Sequence, residues 1–414
     1  MASPLQESQI PNLPGSSQLS QSNIGLLKWR IAELEEEVVA LKGTPQARHQ
    51  ESFKQMGRVL PRVMSPFDSV RSVVDEKIRR QQIEEDSSSE DGESVLPTLE
   101  QERLFRGYQA MVESLGPRIE RSLLGSETTA GEFNNICTLL SNGASAARTA
   151  DTHCLMVKVP EWINRSIKLA DMQEELLDTE TRIGRGFDHY ITGAYLCPIE
   201  YDWSDPKYGA YLISSSVRAA LQNGDPQYPV TAESWPRFLF PDPELEHNDS
   251  DEGFAQSPLL QKAWKCLMTS PRSAEEIDLN TPASRVKRQK RNPPRCVANI
   301  VGLKSVTARS IAYVAVQAGF FDVLSRLRIA LTQSGWQQVD GDFDYHIFFN
   351  NIVDYFEDAP GPIAEAKVKA VLEWWTNSVF KTGKTRLSQS LPNGGSVKRL
   401  AAKRDEQERG EHTV

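Results

Sequence analysis

Six cations crowd into one stretch, at Arg285, Lys287, Arg288, Lys290, Arg291 and Arg295. Lys304 and Arg309 extend the run, and no acid occurs between Asp278 and Asp322. Cations at this density do one kind of chemistry: they neutralise phosphates or carboxylates and release counterions. Lys287-Arg288-Gln289-Lys290 also has the form of a short nuclear import signal. Pro293-Pro294 favours an extended, exposed backbone. Nucleic-acid contact would need a docking element beside the charge. The helix expected from Thr307 could offer its N-terminus to a phosphate. Three readings stay open: an import signal or solvated linker, direct nucleic-acid contact, or internal pairing with the acidic tract at 84–102. The eight acids between Arg80 and Arg103 could cover the eight bases and mask them at low salt.

Other residue groupings that resemble sites lack a required part. "TGKT" at 382–385 has the end of a phosphate-binding loop, but Ser378 replaces its first glycine and a helix precedes it. "DGDFD" at 340–344 opens like a calcium loop, but Tyr345 holds the glycine position and Asn351 that of the bidentate glutamate. A turn into an Asp344-capped helix is the better reading. The six histidines never stand at i,i+4, and no second pair joins His153-Cys154 at metal-finger spacing. Neither a metal site nor a cofactor is expected. An enzyme would need a site in the Trp-rich region 185–240, around His189, Asp202 and Asp205. A dispersed triad assembles only in the fold.

The elements that must position these residues are mostly helical. Ile24, Leu27, Ile31, Leu34, Val38 and Leu41 fall at heptad a and d positions. β-Branched a with Leu at d favours a parallel two-stranded coiled coil, and Arg30–Glu35 and Glu37–Lys42 would pair across the seam. The expectation is a homodimer through 22–43, the alternative being an amphipathic helix docked on its own domain. Residues 1–21 read as disordered, 44–97 as a linker with one helix near 67–83 and the Ser-rich acidic tract, and 381–414 as a disordered charged tail. A single helical domain is expected over 98–380. Thr98 and Gln101 form a capping-box pattern before its first helix. Helices are expected over 119–142 and 154–183, from Thr307 and Asp344, and after Pro360-Gly361-Pro362. Between Tyr195 and Pro258 the Pro, Gly and aromatic residues suggest irregular structure pinned by Trp203, Trp235, Phe238 and Phe240. Trp375 belongs to an apolar helical stripe with Trp374 on its flank, so core packing is favoured over base stacking.

Composition bounds the function. The 414 residues carry a net charge of -9, so the body repels phosphate and any nucleic-acid contact must be local. Five widely spaced cysteines without CxxC suggest free buried thiols in a reducing compartment. The first residues lack a secretory pattern, and no apolar run reaches the about 20 residues a membrane helix needs.

Several blocks carry a family resemblance: "LLSNGASAARTADT" (139–152), "RGFDHYITGAYLCPIEYDWSDP" (185–206), "LLQKAWKCLMTSPRSA" (259–274), "VTARSIAYVAVQ" (306–317) and "AVLEWWTNSVF" (370–380). In this order they resemble a large fungal family, expanded in basidiomycetes and known as a domain of unknown function, over roughly 98–380. The resemblance implies no catalytic residue, and the family's multi-copy character points toward the nucleus. "YGAYLISSS" (208–216) and "AGFFDVLSR" (318–326) look like extra segments, the second interrupting or lengthening the helix from Thr307.

The resulting expectation is an intracellular, nuclear or cytoplasmic, non-enzymatic homodimer with no membrane contact. It would meet nucleic acid or an acidic partner through 285–309. An enzyme and a purely structural self-associating protein are the rival classes.

Overall fold

A computed structural model describes residues 45–86, 96–180, 184–203, 216–241, 251–275, 296–323, 339–340 and 343–380. The expected coiled-coil positions, Ile24 to Leu41, lie outside the described residues. The chain is mostly α-helical. The only strands among the described residues are β1 (Val339–Asp340) and β2 (Phe343–Asp344), an antiparallel hairpin leading into a helix.

One long helix organises the rest. α6 (Ala130–Leu169) opens on a capping box: Thr129 accepts from the Glu132 N–H, and Glu132 returns a bond to the Thr129 backbone. At a rise of 1.5 Å per residue it spans about 60 Å. Its first half packs into one hydrophobic core with α1 (Pro45–Gly57), α2 (Leu60–Val63), α3 (Val70–Asp86), α4 (Leu99–Leu115) and α5 (Pro117–Leu124). Its second half packs into a larger core with α9 (Pro258–Met268), α12 (Ala308–Val323), α13 (Tyr345–Glu357) and α14 (Pro362–Val379). Of the short helices between them, α7 (Tyr190–Leu196) and α8 (Ser216–Asn223) share a third, smaller cluster with Phe187 and Trp203, and α10 (Pro271–Glu275) and α11 (Val297–Val301) pack on the second core.

Two expectations are corrected here. Residues 45–86 are no linker: Phe53, Leu60, Met64, Val73 and Val74 are buried. α1 lies so close to α6 that a Cβ on Gly143 would stand 2.1 Å from the Lys54 carbonyl oxygen, and one on Gly57 2.1 Å from that of Leu140. Nor is there a break between 142 and 154, because the small residues there make room for α1 rather than ending α6. α3 runs on through Glu84, Glu85 and Asp86, so the acidic tract begins inside a helix.

The caps agree with expectation. Thr98 and Gln101 make the reciprocal pair opening α4. Asp344 accepts from the His346 and Ile347 N–H groups at 2.7 and 3.1 Å. The Thr307 hydroxyl accepts from the Ser310 N–H at 3.2 Å. In the middle region Trp203, Phe238 and Phe240 are buried and Trp235 partly so. α12 continues through Val323, so the described part of the second extra segment, 318–323, lengthens this helix.

Pro160 sits inside α6 and has no N–H for the Met156 carbonyl. Arg185, 1% exposed, donates to that carbonyl at 3.3 Å and to the Asp178 carbonyl at 2.5 Å. A residue of the "RGFDH" block thus serves the backbone gap opened by a proline far away in sequence.

Candidate functional site

The cations divide into three groups. Arg285, Lys287, Arg288, Lys290, Arg291 and Arg295 lie outside the described residues. The chain leaves the described body at α10, where Ala274 is fully buried, and re-enters at Cys296, also buried. Lys304 is exposed, just beyond α11, whose end is turned by Gly302 in the left-handed region at φ 70°.

Arg309 corrects the expectation of an exposed binding cation. It is 5% exposed. Its Nε and Nη2 donate to the two Glu357 carboxylate oxygens at 2.9 Å each, and Nη1 donates to the Met64 carbonyl at 2.9 Å. A bidentate pair with a third backbone bond ties α12 to α13 and to the end of α2, leaving no outward charge. The N-terminus of α12 is also closed to a phosphate. Thr307 and Ser310 cap each other, Val306 donates to the Thr376 hydroxyl on α14, and Ala308 is buried.

The rival enzymatic site loses its base. His189 caps α7: its Nδ1 accepts from the Ile191 N–H at 3.3 Å. That fixes the proton on Nε2, which donates to the Glu175 carbonyl at 2.7 Å. Both ring nitrogens are therefore engaged with backbone. Asp202 is exposed, and Asp205 lies outside the described residues. The pocket nearby, about 20 Å³, is lined by Leu196, Pro198, Val230, Phe238, Phe343 and Phe348, with Ser234 and Tyr345 as its hydroxyl groups. Its described lining has no carboxylate, imidazole or thiol. With room for about one water and no such group, it offers nothing to transfer a proton.

A larger open groove, about 670 Å³, runs between α13 and α14. Glu357, Asp358, Glu365 and Glu373 line it against one ammonium, Lys369, above Val306, Phe356, Val368 and Leu372. Arg309 neutralises Glu357 and Arg106 lies 3.4 Å from Asp358, so the face is only weakly acidic.

The most concentrated polar chemistry is internal, where the first and fourth resemblance blocks meet. Arg62, 6% exposed, donates from Nε and Nη2 to the two oxygens of Asp151 at 2.8 and 2.6 Å, and from Nη1 to the Arg58 carbonyl at 2.9 Å. The Tyr313 hydroxyl donates to Asp151 at 2.7 Å. Gln317 donates to Tyr313 at 3.2 Å and accepts from Thr152 at 2.9 Å. Burial would lower the Arg62 pKa, but Asp151 outweighs it and holds the guanidinium above its ordinary value. Burial, then the Asp151 charge, pushes Tyr313 well up. Arg62 thus stays charged and Tyr313 protonated, which makes a positioning network joining α2, α6 and α12. Sequence reasoning missed it. Gly143, Ala147 and Asp151 recur every four residues on one face of α6, which marks a close helix contact, but nothing local identifies Arg62 as the partner.

Among the described residues no three metal-ligating side chains cluster, and no helix is long and apolar enough to cross a membrane. A family model described as a family of unknown function (DUF6698) matches residues 142–380, more than half of the chain. Its first residue lies within α6, well after the start of the packed body at Pro45. No curated protein and no solved structure matches.

Proposed function

The chain belongs to this family of unknown function, and from that premise we propose that it is a non-enzymatic interaction protein, homodimeric through residues 22–43. It meets nucleic acid or another acidic partner through Arg285, Lys287, Arg288, Lys290, Arg291 and Arg295, with Lys304 beside them. One observation carries the reading. Six cations are strung between two buried anchor points, Ala274 and Cys296, on a chain whose net charge is -9. Arg309 is removed from the set because its charge is used inside the fold. Two copies in one dimer would present two such stretches at raised effective concentration. The same cations suit import into the nucleus, which a localisation comparison tests separately. The enzymatic alternative has lost its principal residue, since His189 is committed to capping.

The test is a salt titration of DNA and RNA binding, comparing the wild type with the quadruple variant Lys287→Ala, Arg288→Ala, Lys290→Ala, Arg291→Ala. Wild-type affinity should fall steeply with salt. On duplex DNA each lost phosphate contact reduces the log–log slope by about 0.9, so the variant's slope should be shallower by roughly 3 to 4. Equal binding and equal slopes for the two proteins would end the nucleic-acid reading.

A further inference from the structure

Of the five cysteines, two meet. Cys154 on α6 and Cys266 on α9 are 112 positions apart in the chain, yet their sulfurs stand 3.4 Å from each other. Cys266 is buried, whereas Cys154 is only half-buried and reaches the surface. The other three, Cys137, Cys197 and Cys296, are buried. We propose that Cys154 and Cys266 form a reversible dithiol–disulfide pair closed by hydroperoxides, with Cys154 the attacking sulfur and Cys266 the resolving one.

The geometry assigns the roles. A peroxide can reach only the half-buried sulfur, and the resolving sulfur must lie behind it within bonding reach. A disulfide needs the sulfurs about 2.05 Å apart, so they must close by little more than an ångström. Two packed helices can supply that through rotamer adjustment.

The surroundings of Cys154 agree. The contact with Cys266, whose S–H can donate to an ionised Cys154, and the Lys158 ammonium favour ionisation, while burial and the Asp151 and Glu161 charges oppose it. The net effect holds the Cys154 thiol below its ordinary value. Its partner moves the other way: the bond to Cys154, then burial, push Cys266 far up. Burial also raises Cys137, and pushes Cys197 up to about 12. Cys154 thus combines a lowered thiol with partial exposure.

The reaction balances with one peroxide. The Cys154 thiolate attacks one peroxide oxygen, the O–O bond breaks, and hydroxide leaves to become water. Cys154 is then a sulfenic acid. The Cys266 sulfur attacks that sulfur, the S–O bond breaks, and the leaving hydroxide takes the Cys266 proton as a second water. Two electrons pass from the sulfur pair to the peroxide. A small dithiol reductant restores both thiols by exchange. The closed form ties α6 covalently to α9, the helix that leads through α10 toward the basic stretch.

Near-stoichiometric hydrogen peroxide, followed by alkylation and tryptic mapping of the full chain, tests this. The wild type should lose two of its five thiols. It should yield one linked species joining peptides 149–158 and 266–272, each with a single cysteine, and dithiothreitol should dissolve it. Cys266→Ser should leave a dimedone-reactive sulfenic acid on peptide 149–158. Cys154→Ser should give neither product. Thiol loss spread over all five cysteines without the linked species would overturn the proposal. So would dimedone labelling of Cys266 in Cys154→Ser at the rate seen for Cys154.

Discussion

Asp151 shows what a single buried charge does in this protein. It lies on α6, yet its two carboxylate oxygens are taken by Arg62 from α2 and Tyr313 from α12. Asp151→Ala would leave a guanidinium buried with no counter-charge, and breaking such a pair costs about 3–5 kcal/mol. The paired replacement Arg62→Met, Asp151→Leu removes both charges and fills the space with apolar volume. It should cost clearly less than Asp151→Ala alone, because no orphaned ion remains. Urea unfolding at neutral pH reads both. A loss under about 1 kcal/mol for Asp151→Ala would mean that Arg62 reaches water or another acid, and that the network is not the joint described. Arg309 teaches the same lesson from the other side. By composition it belongs to the basic run, and only its place at the first turn of α12, against Glu357 and the Met64 carbonyl, moves it from the surface into the frame.

Elements were legible wherever their information is local. Thr98, Thr307 and Asp344 each cap a helix through groups three residues away or fewer, so their side chains signal the start on their own, whereas Thr129 caps a helix inside the stretch 119–142 expected to be continuous. The stripe of Val368, Val371, Trp375 and Val379 shows its buried face by spacing alone. α1 and the middle of α6 were not legible, for one shared reason. α1 is polar along most of its length, with Phe53 its deeply buried apolar residue. The facing stretch of α6 is glycine and alanine, which carry little hydrophobic signal. Their contact is made by backbone meeting backbone, and periodicity of side chains cannot report it. The glycines therefore give the sharpest test at this scale. Gly143→Ala places a methyl 2.1 Å from the Lys54 carbonyl oxygen, in a contact that only helix separation relieves. Overpacking of this kind costs about 1–3 kcal/mol. Gly131→Ala, in the first turn of the same helix, meets nothing nearer than the Thr129 hydroxyl at 4.0 Å. It should be neutral or stabilising by up to about 1 kcal/mol, since alanine is the better helix former. Equal effects of the two substitutions on thermal unfolding would show that α1 does not lie against α6 as described.

At the scale of the whole molecule, the question is where the folding unit begins. The family match starts at residue 142, the sequence pattern suggests 98, and the packed body starts at Pro45. Packing decides among them. Without α1 to α3 the first core loses Phe53, Leu60, Met64, Val73 and Val74 at once. Asp151 loses Arg62, and Arg309 loses the Met64 carbonyl. Five buried apolar side chains at roughly 1.5–3 kcal/mol each are together comparable to the 5–15 kcal/mol by which a domain is stable. A chain shortened to residues 96–414 should therefore lack a cooperative thermal transition and bind a hydrophobic dye, although it contains the whole family match. A chain shortened to 45–414 keeps every described contact and should melt cooperatively near the full-length midpoint. It should also sediment as a monomer at concentrations where the full chain is a dimer, because the heptads at Ile24 to Leu41 are gone. Circular dichroism melts and light scattering on these two shortened chains separate folding from association. A cooperative 96–414 would show that residues 45–86 are an appendage to an autonomous domain, and a dimeric 45–414 would place the self-association surface on the helical body rather than on residues 22–43.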